Sequence, residues 1–205
     1  KDIKVIPMGC SLDEFSPANK VENCFGAENK KVILFVGRLC EKKGCTYLID
    51  AMKNINAKLV IVGGGPLKEE LMKQAKETGA DIEFVGPKNK KELAPMYASC
   101  DIFAIPSVIA SDGDKDGLPV ALVEAMASGA TVVGSNLAGI AEIIKDGENG
   151  LLVEPNNVQE LTDAINKLLI DENLSNEYSI NARKTAEKYD FAEIANEYVK
   201  MFDTM

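Results

Sequence analysis

Five short apolar runs in this chain end at, or run directly into, glycine or proline, and segments with helical periodicity separate them. The runs occupy residues 31–36, 58–62, 82–85, 102–105 and 131–134. Short, mostly apolar strands of this kind are typical of parallel sheets covered on both faces. Parallel neighbours also require a crossover, usually a helix, between them. The alternation therefore predicts an α/β fold, a doubly wound parallel sheet of Rossmann-like type, with a last short strand at 151–153.

Helical spacing of apolar residues fills the intervals between these strands. It predicts helices at 46–55, 67–77 and 93–99, and another that starts near Leu118 or Pro119. Beyond residue 153 the sequence predicts three C-terminal helices, at 158–169, 174–188 and 191–202. We expect these helices to pack and close a single domain, 1–205, and we interpret the polar stretch 11–30 as an incoming linker.

Composition excludes several classes of function. The net charge of −9 argues against a nucleic-acid partner. The chain has no histidine, which removes Ser-His and Cys-His catalysis, and its five cysteines include no C-x-x-C pair for zinc or redox chemistry. No apolar run reaches the ~20 residues that span a bilayer. These features fit a reducing, cytoplasmic location.

The segment 112–129, DGDKDGLPVALVEAMASG, joins an acidic glycine-containing loop to an apolar helix. A helix start at Gly117 and Leu118 offers unpaired N–H groups and partial positive charge to an anion such as phosphate. Glu124 is the one charged residue of the helix and leans back toward that turn. It is interpreted either as a ribose ligand or as a buried acid paired with a lysine or a backbone donor, because an unpaired buried carboxylate is costly.

Two basic residues, Arg38 and Lys43, lie five positions apart in a loop that directly follows the first strand. A guanidinium fork and an ammonium group at this spacing are suited to one diphosphate. Neighbouring Lys42 is interpreted as a solvated residue.

A glycine run and a set of alternating aspartates indicate a ligand site or a metal site only weakly. The run 63–66, GGGP, follows a strand and would let backbone approach a ligand, but it lacks the G-x-G-x-x-G spacing of dinucleotide sites. Alternating Asp112, Asp114 and Asp116 do not complete a calcium-loop pattern. We interpret the first two as solvated, and we place Asp116, beside Gly117, near a sugar phosphate.

Several motifs occur together and in order along nearly the whole chain. They are VIPMGCSLDEFSP at 5–17, VGRLCEKKG at 36–44, VGGGP at 62–66, FVGPK at 84–88, the segment 106–129, and DGENGLLVEP at 146–155. In this set the chain resembles the C-terminal, donor-binding domain of the group 1 retaining glycosyltransferases of GT-B fold. The family motif of two glutamates separated by seven residues falls on Asp116 and Glu124, so that the first acid is shorter by one methylene.

The resemblance implies a role for each matching residue. Arg38, Lys43 and Asp116 would act at the reacting diphosphate and sugar, and Glu124 would bind the ribose. The other donor-binding positions would be Gly37, Gly64, Val85, Lys88, Gly117 and Leu118. No metal and no cofactor would be needed besides the nucleotide diphosphate sugar that serves as donor substrate.

The implied reaction is transfer of a sugar from that donor to an acceptor with retention of anomeric configuration. The acceptor would occupy an N-terminal domain that this chain lacks, so the isolated chain is expected to be inactive, and a peripheral membrane contact through that domain stays open. Two alternatives remain: a nucleotide-sugar-binding module without catalysis, and a nicotinamide-dependent dehydrogenase domain. The missing glycine fingerprint weighs against the dehydrogenase.

Overall fold

The computed structural model describes residues 5–27 and 30–203 and is built around one six-stranded sheet. The strands are β1 Val32–Val36, β2 Lys58–Val62, β3 Ile82–Gly86, β4 Ile102–Ile105, β5 Thr131–Ser135 and β6 Leu151–Val153. All five neighbouring pairs are parallel, in the order β3-β2-β1-β4-β5-β6. The predicted doubly wound sheet is confirmed, and every strand predicted from sequence occurs within one residue of its expected bounds.

Eight α-helices surround the sheet within the described part of the chain. They are α1 Cys45–Ala51, α2 Lys68–Thr78, α3 Lys90–Ser99, α4 Val120–Ala127, α5 Ala138–Ala141, α6 Val158–Ile170, α7 Glu172–Ala186 and α8 Phe191–Asp203. Helix α3 begins three residues earlier than predicted because Asn89 and Glu92 form a reciprocal capping box. Helix α5 was not predicted, since four residues are too few to show a period.

The sheet buries side chains on both faces. Ile33 and Phe35 of β1 point into a layer that includes α1 and α6, whereas Leu34 points to the opposite layer, which contains α3 and α4. Alternate residues of one strand thus enter two separate cores. This arrangement explains why the two middle strands, β1 and β4, are apolar at every position and do not alternate between apolar and polar residues.

The segment that precedes β1 packs onto the domain, so its interpretation as a linker is wrong for the part that the structure describes. Phe15 is fully buried, and its carbonyl oxygen accepts a hydrogen bond from Arg183 Nη1 of α7 at 2.9 Å. Cys10 forms a parallel bridge with Asp190, just before α8. Single apolar residues at wide intervals anchor this stretch, and such spacing produces no periodic signal.

The loops after β1 and β2 contact each other backbone to backbone. A Cβ atom on Gly63, whose φ is +138°, would lie 1.9 Å from the carbonyl oxygen of Gly37. On Gly65 it would lie 2.3 Å from the carbonyl oxygen of Leu39, whereas on Gly64 it would meet nothing within 4 Å. Two of the three glycines therefore serve packing within the chain, and only Gly64 has open space beside it.

This difference predicts opposite outcomes for neighbouring substitutions. We expect Gly63→Ala to lower the free energy of unfolding by about 2–3 kcal/mol or more, since it adds a clash to an unfavourable φ. Gly64→Ala should change it by less than about 0.5 kcal/mol. Urea denaturation of both variants provides the test, and equal stability of the two would show that the loops do not approach as closely as described.

Candidate functional site

The sheet order creates a crevice at the carboxyl edge between β1 and β4. The chain leaves β1 toward β2 on one side and leaves β4 toward β5 on the other, so the loops that follow these two strands diverge at a topological switch point. Ligands of open α/β sheets bind at such points. The loops 37–44, 63–66, 86–89 and 106–117 follow four adjacent strands, and the fold brings all of them to this edge.

Contacts between the β1 and β4 loops fix their relative position. Gly44 has a φ of +61°, and a Cβ atom there would lie 1.8 Å from the carbonyl oxygen of Pro106. The amide of Val108 donates to the carbonyl oxygen of Lys42 at 2.8 Å. Ser111 adds hydrogen bonds from its amide and its hydroxyl to the carboxylate of Glu41, at 2.9 and 2.8 Å. The two loops therefore behave as one unit.

A compact polar cluster occupies the crevice. Lys43 Nζ donates to Asp116 Oδ2 at 2.8 Å, and Ser107 Oγ donates to the same oxygen at 2.7 Å. The side chains of Lys43 and Asp116 are only 18% and 8% exposed, so this ion pair is shielded from solvent. Sequence analysis placed both charged residues here but missed Ser107, which is fully buried. Its position directly after the proline that ends β4 is the only signal that could have indicated it.

Lys42, which the sequence interpretation left as a solvated residue, is partly exposed and also forms an ion pair. Its Nζ lies 2.9 Å from Asp114 Oδ2 and 4.0 Å from Asp116 Oδ1. The side-chain hydrogen bond that Lys42 donates to Asp114 is the main reason that the pKa of Lys42 is raised. Asp112 and Asp114 are exposed, as predicted. The acidic loop is thus tied to the β1 loop through Lys42 as well as through Lys43.

Arg38 differs from its basic neighbours. Its side chain is exposed at the carboxyl edge, and within the described part of the chain it makes no hydrogen bond and no ion pair. Lys43 already has a carboxylate partner, and Arg38 is therefore the cation of this loop that can engage an incoming anion without giving up a protein contact.

The turn before α4 is open on the side of the Gly117 Cα, while Gly139 packs against its other side, where a Cβ atom would lie 1.9 Å from the carbonyl oxygen of Gly117 and 2.8 Å from the amide nitrogen of Leu118. Gly117 is exposed, a Cβ atom on it would meet nothing within 4 Å, and the amides of Gly117 and Leu118 donate no hydrogen bond to any residue of 5–27 or 30–203. The helix itself begins at Val120, slightly later than predicted, because Pro119 keeps an extended ψ of 116° and acts as the N-cap. Free N–H groups at this turn suit an anionic ligand.

Glu124 lies inside the protein with one partner. It is 7% exposed, and its Oε2 accepts a hydrogen bond from the hydroxyl of Tyr97 on α3 at 3.2 Å. Burial raises the pKa of Glu124, while the Tyr97 hydrogen bond and the charge of Lys90 oppose that shift. The other oxygen, Oε1, accepts no hydrogen bond from the described residues and retains contact with solvent. A half-satisfied carboxylate of this kind can accept hydrogen bonds from a ligand.

Val85 and Lys88 lie further along the same edge, at the outer strand β3. They line a cavity of about 480 Å³ together with Phe25, Met96 and other residues of β2, β3 and α3. Lys88 Nζ pairs with Glu92 at 2.9 Å. Strand β2 lies between β3, which contains Val85 and precedes Lys88, and β1, whose loop contributes Lys43 to the cluster with Asp116.

Metal-ligating clusters and membrane-spanning helices are both absent from residues 5–27 and 30–203. No group of three or more metal-ligating side chains gathers at one point within these residues. None of the helices they form is both long enough and apolar enough to cross a membrane.

Comparison with known proteins places this geometry in context. The sequence model of the family described as glycosyl transferases group 1 matches residues 21–185. An uncharacterized glycosyltransferase of Methanocaldococcus jannaschii is 37% identical over 182 residues, which are 85% of this chain and 45% of the relative. A GDP-mannose-dependent alpha-(1-6)-phosphatidylinositol monomannoside mannosyltransferase of Mycobacterium tuberculosis is 34% identical, over 82% of this chain and 47% of the relative. The chain thus spans about half the length of these curated relatives.

Solved structures show the same architecture. The Anabaena protein HepE in complex with UDP superposes with a TM-score of 0.88 at 26% identity, over 98% of this chain and 57% of HepE. HepE in complex with UDP-glucose gives a TM-score of 0.87 at 27% identity. The six-stranded sheet and its helices therefore form a fold that is already known in nucleotide-bound form.

The shielded ion pair generates a prediction about stability. We expect Asp116→Asn to lower the free energy of unfolding by about 1–3 kcal/mol, because it leaves the largely buried Lys43 ammonium without its counter-charge. Asp114→Asn removes an exposed partner of Lys42 and serves as the matched control, with no measurable change expected. Urea denaturation at neutral pH compares the two. Equal losses would contradict a special role for the Lys43 and Asp116 pair.

Proposed function

The chain belongs to the group 1 glycosyl transferase family, and on that premise we propose that it is the donor-binding half of a retaining enzyme. The enzyme moves a sugar from a nucleoside diphosphate sugar to an acceptor and requires no metal at this site. The observation that carries the proposal is the exposed Arg38, whose side chain has no hydrogen bond or ion pair within residues 5–27 and 30–203, in one loop with Lys43 and opposite the exposed Gly117, at the switch point of the sheet.

The diphosphate of the donor lies between the β1 loop and the start of α4 in this proposal. Arg38 binds it through a guanidinium fork, and the free amides of Gly117 and Leu118 face it from the other side. Lys43 either turns from Asp116 toward a phosphate oxygen or contacts the Asp116 carboxylate and a phosphate oxygen together. Negative charge grows on the diphosphate as the bond to the sugar breaks, so fixed cations and amides at this position favour the transition state over the ground state.

Glu124 and Asp116 contact different parts of the donor in this proposal. Glu124 accepts hydrogen bonds from the ribose diol through Oε1, the oxygen that no described residue engages. Asp116 faces the transferred sugar, and its shorter side chain is held by Ser107 and Lys43. Backbone at Gly37 and Gly64 borders the donor, and the strip that contains Val85 and Lys88 borders the base.

The relatives support a diphosphate donor without fixing the base or the sugar. One solved relative was crystallised with UDP and with UDP-glucose, and another relative is described as GDP-mannose-dependent. The chemical group common to these ligands is the nucleoside diphosphate. That shared group is the part of the donor that Arg38, Lys43 and the Gly117 turn are arranged to bind.

A second, N-terminal half completes the enzyme in this proposal. The chain spans less than half of two curated relatives, and α8 carries exposed apolar residues at Phe191, Tyr198, Val199 and Phe202. Val5 and Met8 expose further apolar surface near the other end of the chain. An apolar surface of this kind suits contact with another domain. We place the acceptor, and any peripheral membrane contact, on that half, so the isolated chain binds the donor but does not transfer the sugar.

Calorimetry with UDP, GDP and ADP in the presence of EDTA tests the proposal. We expect at least one of the three to bind, and we expect Arg38→Ala to weaken that binding about tenfold or more, the effect of losing a charge-assisted hydrogen bond. Lys53→Ala removes the same charge from the opposite edge of the sheet and should leave the affinity unchanged.

The proposal fails if a folded sample binds none of the three nucleotides. It also fails if Lys53→Ala weakens binding as much as Arg38→Ala, because the effect would then reflect net charge rather than a contact at the site.

A further inference from the structure

We propose that Tyr97 is a positioning residue for the donor, whose hydroxyl holds one oxygen of Glu124 so that the other faces the ribose diol. This inference rests on the proposed function. Tyr97 does not touch the donor itself, and it acts only through the carboxylate of Glu124.

The ring of Tyr97 is held rigidly in the core. It is 0% exposed and lies edge-on to Phe15 of the N-terminal segment, with 5.8 Å between centroids, and to Phe103 of β4, with 5.6 Å. Aromatic rings packed on two sides at these distances have little freedom to rotate. The hydroxyl therefore has a fixed position, set by three separate elements of the fold.

That hydroxyl is not needed to fill the core, and a phenylalanine would pack equally well. Its only hydrogen-bond partner among residues 5–27 and 30–203 is Glu124 Oε2, at 3.2 Å. A buried tyrosine hydroxyl and a buried carboxylate each cost free energy unless they are paired. One hydrogen bond between α3 and α4 therefore satisfies both the hydroxyl and Oε2 of the carboxylate. Oε1 remains the free acceptor.

Other charged and titratable groups around Glu124 do not replace this contact. Lys90 of α3 and Glu14 of the N-terminal segment act on Glu124 through charge alone and with opposite signs, and they lie 3.9 Å from each other. Burial raises the pKa of the Cys10 thiol to about 11, so this neighbour stays neutral near neutral pH. Among the residues that the structure describes, Tyr97 is the one group that orients the carboxylate through a directed bond.

The contact has a consequence for the pH dependence of donor binding. Burial holds the pKa of Glu124 above its ordinary value, and the Tyr97 hydrogen bond moves it back down by stabilising the charged form. Ribose binding requires the carboxylate, so affinity is present above this pKa and is lost as the pH falls through it. Removal of the hydroxyl should raise the pKa and move the loss of affinity to higher pH.

The experiment compares Tyr97→Phe with Tyr178→Phe, which removes the same atom from another buried tyrosine, on α7. Calorimetry with UDP and GDP from pH 7.5 down to pH 5 gives the affinities, and carbon NMR of the Glu124 carboxyl group gives its pKa without nucleotide. We expect Tyr97→Phe to weaken binding about fivefold or more, to raise the pKa of Glu124, and to shift the acid midpoint upward. Tyr178→Phe should change none of these quantities.

Glu124→Gln tests the same contact by changing its acceptor. It should remove the part of the pH dependence that comes from Glu124 and leave only that of the nucleotide's terminal phosphate, whose second pKa is about 6. Adding Tyr97→Phe to it should cause no further loss, because the two residues act as a unit. Equal affinities of Tyr97→Phe and Tyr178→Phe, or an unchanged pKa of Glu124, would overturn the role of Tyr97. Failure of the wild-type chain to bind any nucleotide would instead overturn the proposed function, and the positioning role with it.

Discussion

The contact between the loops that follow β1 and β4 determines the geometry of the whole site. These strands are neighbours in the sheet although two others lie between them in the chain. Gly44 lets the two loops meet backbone to backbone at Pro106, and this contact brings Lys43 within 2.8 Å of Asp116. A side chain at Gly44 would force the loops apart and would separate the cation from the acid. The chemistry of the crevice therefore depends on one residue without a side chain.

The loop after β1 concentrates cations in a molecule that is acidic as a whole. The chain carries a net charge of −9, yet Arg38, Lys42 and Lys43 gather in a single loop. At physiological salt, charges more than about 8 Å away are largely screened, and the local arrangement decides what binds. Asp114 and Asp116 engage two of these cations, and Arg38 remains available to an anion. An acidic protein can in this way contain a site for a diphosphate.

Much of this organisation could be predicted from the sequence, because strands, their order along the chain and the loops that follow them all have local signals. Apolar runs that end at glycine or proline located five of the six strands, and the loops that follow them placed Arg38, Lys43 and Asp116 at one edge. Contacts between distant residues had no such signal. The hydroxyls of Ser107 and Tyr97 reach the two acids only through tertiary packing, and the buried segment around Phe15 resembles a polar linker in sequence. The sequence could not show whether the glycine run at 63–66 serves packing or ligand binding, since Gly37 and Leu39, which pack against it, are remote in the chain.

The central claim is that a nucleoside diphosphate binds at the carboxyl edge, between the β1 loop and the α4 turn. Amide chemical shifts of the nitrogen-labelled chain, followed during addition of UDP or GDP in EDTA, test it most directly. The account predicts that the largest changes occur at Arg38, Lys43 and Gly117. A cavity of about 340 Å³ at the opposite edge, lined in part by Lys31, Asp101 and Thr131, should show none. Shifts confined to that amino edge, or the absence of change at Gly117, would contradict the account.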